Sequence, residues 1–500
     1  MSAATGAGAA RTSPGASARA RKIRLGALTG VVGFLAFVEF TSGVLQGYYT
    51  PMLTDIARHL GIHDADVNWL EGTQLMLSAL VVPAFAKLGD MFGHKRMLLW
   101  STALTALASL ALPFTDSFAV FLVAWTLQGF YVVWLPLEIA IIWSRTRGRE
   151  GGALLTARAA GILVAFLEIG AIAGALAGGR LVDLLPLWIV LLVPALLVVA
   201  CFFVIAFGVR EADQHPGGRL DVVGLSLVSL ALIAFTGGLS LLRLNGAADP
   251  LAWGVALLGV ALLVPFALYE LRHPDPLIDV RMFRSPALAP IFLTAGLFGV
   301  SVLGAQAPLS TFARTDPAEV GYGLGTTGFE TSLIIGLYLV AMIAGALLYP
   351  KFSRWFTPRV TLICAAGLVG IGYLLFLPFH DGYLQAVANM MIAGLGSGAL
   401  VAALPSAAAS AAPATQTGVA TGLTNSVKTV GGAIASAVFG IVLMQGVAGA
   451  AAGGTAGSLE GYMTVWAICG LTALVAAVLL CFVPRDAFTD RGVGAPPAAA

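Results

Sequence analysis

The sequence predicts an all-α integral membrane protein: a major bundle of two six-helix halves with two additional helices between them, fourteen transmembrane helices in all. Three observations predict it. Hydrophobic residues make up 58% of the 500, charged residues only 10%, and the mean hydropathy is +0.92, whereas a water-soluble domain carries about a quarter charged residues. About fourteen apolar stretches, each close to the ~20 residues that span a bilayer, follow one another with short connections. The stretches lack the strict alternation of barrel strands, so helices must satisfy the backbone N–H and C=O groups internally.

Each element follows in order. Residues 1–24, rich in Ala, Ser and Gly, read as a disordered cytoplasmic tail. Residues 25–208 form the first bundle, with spans near Leu25–Gly47, Leu70–Leu88, Met97–Pro113, Phe118–Trp143, Ala153–Gly179 and Leu185–Gly208. Residues 209–284 carry two further spans, near Val222–Leu242 and Leu251–Leu271, between cytoplasmic linkers. Residues 285–484 form the second bundle, with spans near Pro286–Pro308, Gly328–Leu348, Val360–Phe379, Tyr383–Pro405, Val419–Val447 and Gly461–Val483. Residues 485–500 are Ala/Pro/Gly-rich and read as a second disordered tail. Two similar halves around a central pair suggest a transporter whose substrate lies between them. The clearest repeated feature is the polar turn after the second span of each half, at Lys87–Arg96 and Lys351–Arg359.

Charge sets the orientation. With the N-terminus inside, 22 of the 27 Lys and Arg fall on the inner side, one (Lys428) lies within a span, and only Arg58, Arg180, Arg243 and Arg314 lie outside. This bias predicts cytoplasmic termini and an even number of crossings. The net charge of +2 gives no reason to expect a nucleic-acid partner. Cys201, Cys364, Cys469 and Cys481 sit in apolar runs and read as core hydrophobes. The apolar run from Leu25 is long and lacks a small-residue cleavage site, so it reads as a retained span. There is no phosphate loop and no metal-spaced His cluster; His59 and His63 with Asp64 and Asp66 read as a solvated outer loop. No cofactor or metal is expected.

Four groups of residues carry the chemistry. The turn containing Gly89, Asp90, Gly93, Lys95 and Arg96 joins two spans, with glycines permitting a tight bend and one acid among basic residues. Gly161, Gly170, Gly174, Gly178 and Gly179 recur in the fifth span at spacings that let helices approach closely. Glu39, Glu138 and Glu168 stand among apolar neighbours. A carboxylate near the bilayer centre costs about 2.5–3.5 kcal/mol on insertion scales, so such acids usually face a cavity and do work. Because desolvation disfavours an ionised carboxyl, a transmembrane pH difference can change its protonation, as a proton-coupled antiporter requires. Glu138 also lies within snorkelling reach of Arg145, where an ion pair would be structural. Gln128, Tyr131 and Trp134, on neighbouring turns of the fourth span, and Lys428 in the thirteenth are candidates to line a substrate cavity suited to amphipathic organic molecules.

These motifs resemble the major facilitator superfamily, whose loop between spans two and three reads roughly G-x-x-x-D-R-x-G-R-K. The chain matches at Asp90, Gly93 and Lys95 and departs at Ala86, Met91 and His94. The glycine run is similar to the family's antiporter pattern G-x8-G-x3-G-P-x2-G-G, with Ala175 in place of the proline. The six-two-six layout is similar to its fourteen-span drug:proton antiporters. The resemblance implies that Asp90 latches the inner side by facing the positive start of span thirteen, near Gly418–Gly422. It implies export, and places Glu39 where related antiporters carry an acid. The family's R-x-x-Q-G in span four appears as Trp125 to Gly129, so Trp125 replaces the Arg tied to coupling. Either the acids use another cation, Lys428 or Arg158, or coupling is absent.

The expectation is therefore a secondary active transporter, not an enzyme. It would export a small amphipathic organic compound by proton antiport and alternating access, as a monomer in a bacterial cytoplasmic membrane. Its partners would be the substrate, protons and the lipid bilayer. A proton-independent facilitator or importer is the alternative; a membrane-embedded sensor or enzyme would need a catalytic cluster or soluble domain that the sequence lacks.

Overall fold

The computed structural model describes residues 14–146, 152–211, 220–246, 248–274, 276–412, 416–444 and 455–483. The expected C-terminal tail, most of the linker at 210–221, and Arg147 and Arg149 lie outside them. Among the described residues, 13 helical stretches are long and apolar enough to cross a membrane. Pro358–Leu374, the predicted eleventh span, is an apolar helix of 17 residues, continued by a few turn residues.

The first half comprises α1 (Pro14–Tyr48), α2 (Leu53–Leu60), α3 (Val67–Phe92), α4 (His94–Ala111), α5 (Phe118–Gln128), α6 (Trp134–Thr146), α7 (Gly152–Val182) and α8 (Leu187–Gly208). Helix α1 begins at the near face and ends at the far face. Prolines explain where predicted spans divide. Pro51 ends α1 and opens a 3-10 turn leading to α2. The predicted fourth span is α5 and α6 joined by a 3-10 turn, Gly129–Val133. Pro136 lacks an N–H to donate to the Val132 carbonyl, so the ladder changes pitch there.

The two further helices, α9 (Val222–Asn245) and α10 (Pro250–Glu270), form a hairpin. A Cβ on Gly238 would lie 2.3 Å from the Ala256 backbone, so the pair approaches more closely than any larger residue allows. Val228 and Leu232 of α9 pack with Met76 of α3 and with Ala433, so the hairpin covers the seam between the halves.

The second half comprises α11 (Ala289–Val302), α12 (Gln306–Arg314), α13 (Pro317–Val320), α14 (Gly328–Trp355), α15 (Pro358–Leu374), α16 (Tyr383–Ala411), α17 (Thr417–Val442) and α18 (Leu459–Leu480). The predicted ninth span breaks between α11 and α12, where Pro308 cannot donate to the Gly304 carbonyl. The repeated turn appears in corresponding places: Gly93, at φ 105°, joins α3 to α4, and Thr357 joins α14 to α15 by capping Val360.

Each half has its own apolar core. Large apolar side chains such as Trp100, Leu107, Phe207, Leu347 and Leu384 face outward, as lipid requires. The halves meet along α3 with α17 and α7 with α14. Gly72 lies against Ala433 and Ser436, Gly440 against Ala65 and Trp69, and Gly179 against Gly328 and Ser332, all toward the far face. Toward the near face, Gly161 and Gly422 have no atom within 4 Å of where a Cβ would stand.

Candidate functional site

Glycine spacing brings the acids into register. A Cβ on Gly43 would stand 1.9 Å from the Leu167 carbonyl oxygen, and one on Gly170 would stand 2.2 Å from that of Phe40. Gly47, Gly174 and Gly178 make the same close approach between α1 and α7. Gly179 instead packs across the seam against Gly328. Gly161 breaks the expected pattern: it stands on an exposed face of α7 with no atom within 4 Å of a Cβ there, although Ala159 and Leu163 on either side are buried.

The α1 acid, Glu39, is completely buried, and so is Glu138 of α6. Their carboxyls lie near enough to act on one another, and none of the four oxygens has a hydrogen-bond partner. Thr41 and Cys201 stand beside them. The ion pair between Glu138 and Arg145 is not formed; Arg145 reaches the Arg210 carbonyl at the near face instead. Two carboxylates this close cannot both remain ionised without strong repulsion, whereas one proton lets either oxygen pair donate to the other. The pair is therefore a place where a proton can be held or lost.

Glu168 is near the middle of α7 and Lys428 near the middle of α17. Both are half-buried, and they attract one another across the seam with no direct ion pair between them. Gly299 packs against the Lys428 carbonyl, which fixes α17 at that level. Tyr338 of α14 is near enough to feel Glu168, and its hydroxyl is unpaired. Arg158 is exposed on α7. One acid escaped sequence reading: Glu71, half-buried on α3 beside Tyr131. It fell at the edge of the predicted span, but α3 starts at Val67 and carries it a full turn inside.

Gln128, Trp134 and Trp125 lie within the first half. The Gln128 amide donates to Tyr49 Oη and Ser109 Oγ at 2.9 Å each. Trp134 is fully buried with an edge-on contact to Tyr131. Trp125 stacks on Phe121 and meets Tyr49 edge-on, filling the space where a coupling Arg was expected. At the near face, Asp90 pairs with His94 of its own turn at 3.3 Å. Lys95 Nζ donates to the Ala206 carbonyl, and the Lys95 and Arg96 N–H groups donate to Glu211. The turn is thus held by α8 and by Glu211 just beyond it; the expected partner, Gly418–Gly422 at the start of α17, is described, and Asp90 is paired with His94 instead. At the far face, His59 pairs with Asp116 and Asp66 with Arg243. All four cysteines are unpaired.

Two helical halves with charged groups stranded at mid-membrane level between them define a membrane transporter. The Major Facilitator Superfamily model matches residues 35–436, and the chain belongs to that family. It is 24% identical over 385 residues to an uncharacterized MFS-type transporter of Mycobacterium tuberculosis, covering 73% of this chain and 52% of that protein. The match thus spans about half the length of that relative. It is 27% identical to a cephamycin export protein of Amycolatopsis lactamdurans, covering 65% of each. Its fold is similar to a crystal structure of a nucleoside transporter, with TM-score 0.65 and 13% identity, covering 90% of this chain and 99% of the other.

Proposed function

We propose that this transporter exports a small amphipathic organic compound in exchange for protons, through fourteen crossings of the cell membrane, with the near face and both termini in the cytoplasm. The observation that carries the reading is the Glu39–Glu138 carboxyl pair, sealed from other partners. When one proton is held, the carboxyls attract. When both ionise they repel; unit charges ~4 Å apart at an effective dielectric of ~20 repel by about 4 kcal/mol. That energy is enough to favour a different packing of α1 against α6. Helix α1 is in backbone contact with α7 at Gly43 and Gly170, on either side of Glu168. A shift of α1 therefore moves Glu168 relative to Lys428, and the two halves with it.

Lys428, Glu168, Glu71, Tyr131 and Tyr338 form the substrate-facing set in this reading. They combine both charge signs with aromatic surface, which suits an amphipathic molecule. Gln128 and Trp134 hold the shape of the first half. Asp90 serves the near-face gate when that face closes, after leaving His94. The similarity to an Amycolatopsis export protein supports export.

The experiment is substrate-dependent proton movement in sealed vesicles carrying a preset pH difference. Addition of a transported amphipathic compound should discharge the gradient. Transport of such compounds without any discharge would favour the proton-independent facilitator, to which Trp125 and Ala175 point.

A further inference from the structure

The far face is shut by a charged assembly that crosses between the halves. Asp55 of α2 and Asp183, just beyond α7, belong to the first half; Arg314, at the end of α12, belongs to the second. Arg314 Nη2 donates to both Asp55 carboxylate oxygens at 2.9 Å each. Its Nη1 is 3.9 Å from Asp183 and donates to the Thr326 carbonyl at 3.1 Å. Asp183 accepts hydrogen bonds from the Gly328 and Phe329 N–H groups, at 2.8 and 2.9 Å. Those are the first N–H groups of α14, which no residue within the helix can satisfy and which carry the positive end of its dipole. Ser310 also donates to the Thr50 carbonyl across the same seam. None of these groups is at the mid-membrane site.

We propose that Asp183, Arg314 and Asp55 are the residues that hold the far face closed, with Asp183 acting as a cap lent by one half to a helix of the other. Arg314 is anchored to its own half through Thr326, so parting the halves must separate it from both acids and uncover the end of α14. All three are 12–21% exposed, so the contacts are partly shielded and stronger than surface pairs. The arrangement is the opposite-face counterpart of the expected Asp90 latch: each places an aspartate of the first half at the start of a helix in the second. The far face is engaged while Asp90 pairs within its own turn. Closure at one face with release at the other is what alternation demands. The inference rests on rocking of the halves and not on proton coupling.

The test uses the full chain in nanodiscs with Ser332→Cys as reporter. Ser332 is buried against Gly179 at the seam, and its thiol should be protected from a hydrophilic maleimide. The parent chain corrects for labelling at Cys364 and Cys481. Asp183→Asn and Arg314→Gln should each raise the labelling rate by about 5- to 150-fold, the range of a coupling between two global states. Arg314→Lys, which keeps a positive charge beside both acids, should raise labelling less than Arg314→Gln and also shows that loss of folding is not being read. Unchanged labelling in both single variants would overturn the proposal. So would an equal rise in Asp116→Asn, an exposed far-face acid outside the assembly, or an Arg314→Lys variant as reactive as Arg314→Gln. Labelling needs neither substrate nor a pH gradient, so failure here is distinct from failure of the antiport reading.

Discussion

Replacing Gly170 by Ala places a methyl carbon 2.2 Å from the Phe40 carbonyl oxygen. Non-bonded heavy atoms rest near 3.5 Å, so α1 and α7 would have to part by roughly 1 Å at this level. Tilting cannot relieve the clash, because Gly43 and Gly178 make equally close contacts on either side, 1.9 and 2.1 Å from a carbonyl oxygen for a Cβ placed there. Overpacking of this kind costs about 1–3 kcal/mol. Gly161→Ala is the matched control: it adds the same methyl to the same helix where nothing lies within 4 Å. There Ala should be neutral or stabilising by up to about 1 kcal/mol, from helix propensity alone. Thermal unfolding of the purified variants, followed by tryptophan fluorescence, measures both. Gly170→Ala should melt below the wild type and Gly161→Ala at or above it. Coincident melting of the two would refute the claim that close backbone approach, rather than glycine content, joins α1 to α7.

Two further outcomes follow from the site. Neutralising Lys428 to Met or Glu168 to Gln should each weaken binding of a zwitterionic transported compound about tenfold, equivalent to about 1.4 kcal/mol. The double variant should lose less than the sum, because the two charges attract one another; strict additivity in a binding titration would contradict the pairing. Trp125→Arg, which restores the family's residue type, should destabilise the first half by about 3–5 kcal/mol, since it empties a stacked aromatic position and strands a cation beside Phe121 and Tyr49. Wild-type melting behaviour in that variant would show that the pocket accepts a guanidinium.

Much of the helical architecture was legible because lipid permits few solutions: long apolar runs had to be helices, and charge asymmetry ordered them. Interruptions were legible only in hindsight, since Pro51, Pro136 and Pro308 look alike in sequence but fall at different depths of their helices. The acids Glu39, Glu138 and Glu168 stood out by their cost in an apolar run. That Glu39 meets Glu138, while Glu168 faces Lys428, depends on α1 lying against both α6 and α7, which no single span records. Glu71 was overlooked because a hydropathy boundary was drawn at Leu70, whereas the helix begins at Val67. The far-face assembly was invisible for another reason: Asp55, Asp183 and Arg314 occupy short polar connections, where charge is cheap and its partners lie in the opposite half of the chain. The glycine run showed its role at Gly170, Gly174 and Gly178, but spacing alone could not tell that Gly161 stands on an exposed face of α7.

Accumulation of a transported compound in proteoliposomes, driven by an imposed pH difference, tests the carboxyl pair most directly when wild type is set beside Glu39→Gln/Glu138→Gln. Wild type should follow the gradient in size and sign. The double variant should ignore it while still exchanging labelled for unlabelled compound at equal pH. Undiminished gradient-driven accumulation by the double variant would contradict the assignment of the proton to Glu39 and Glu138.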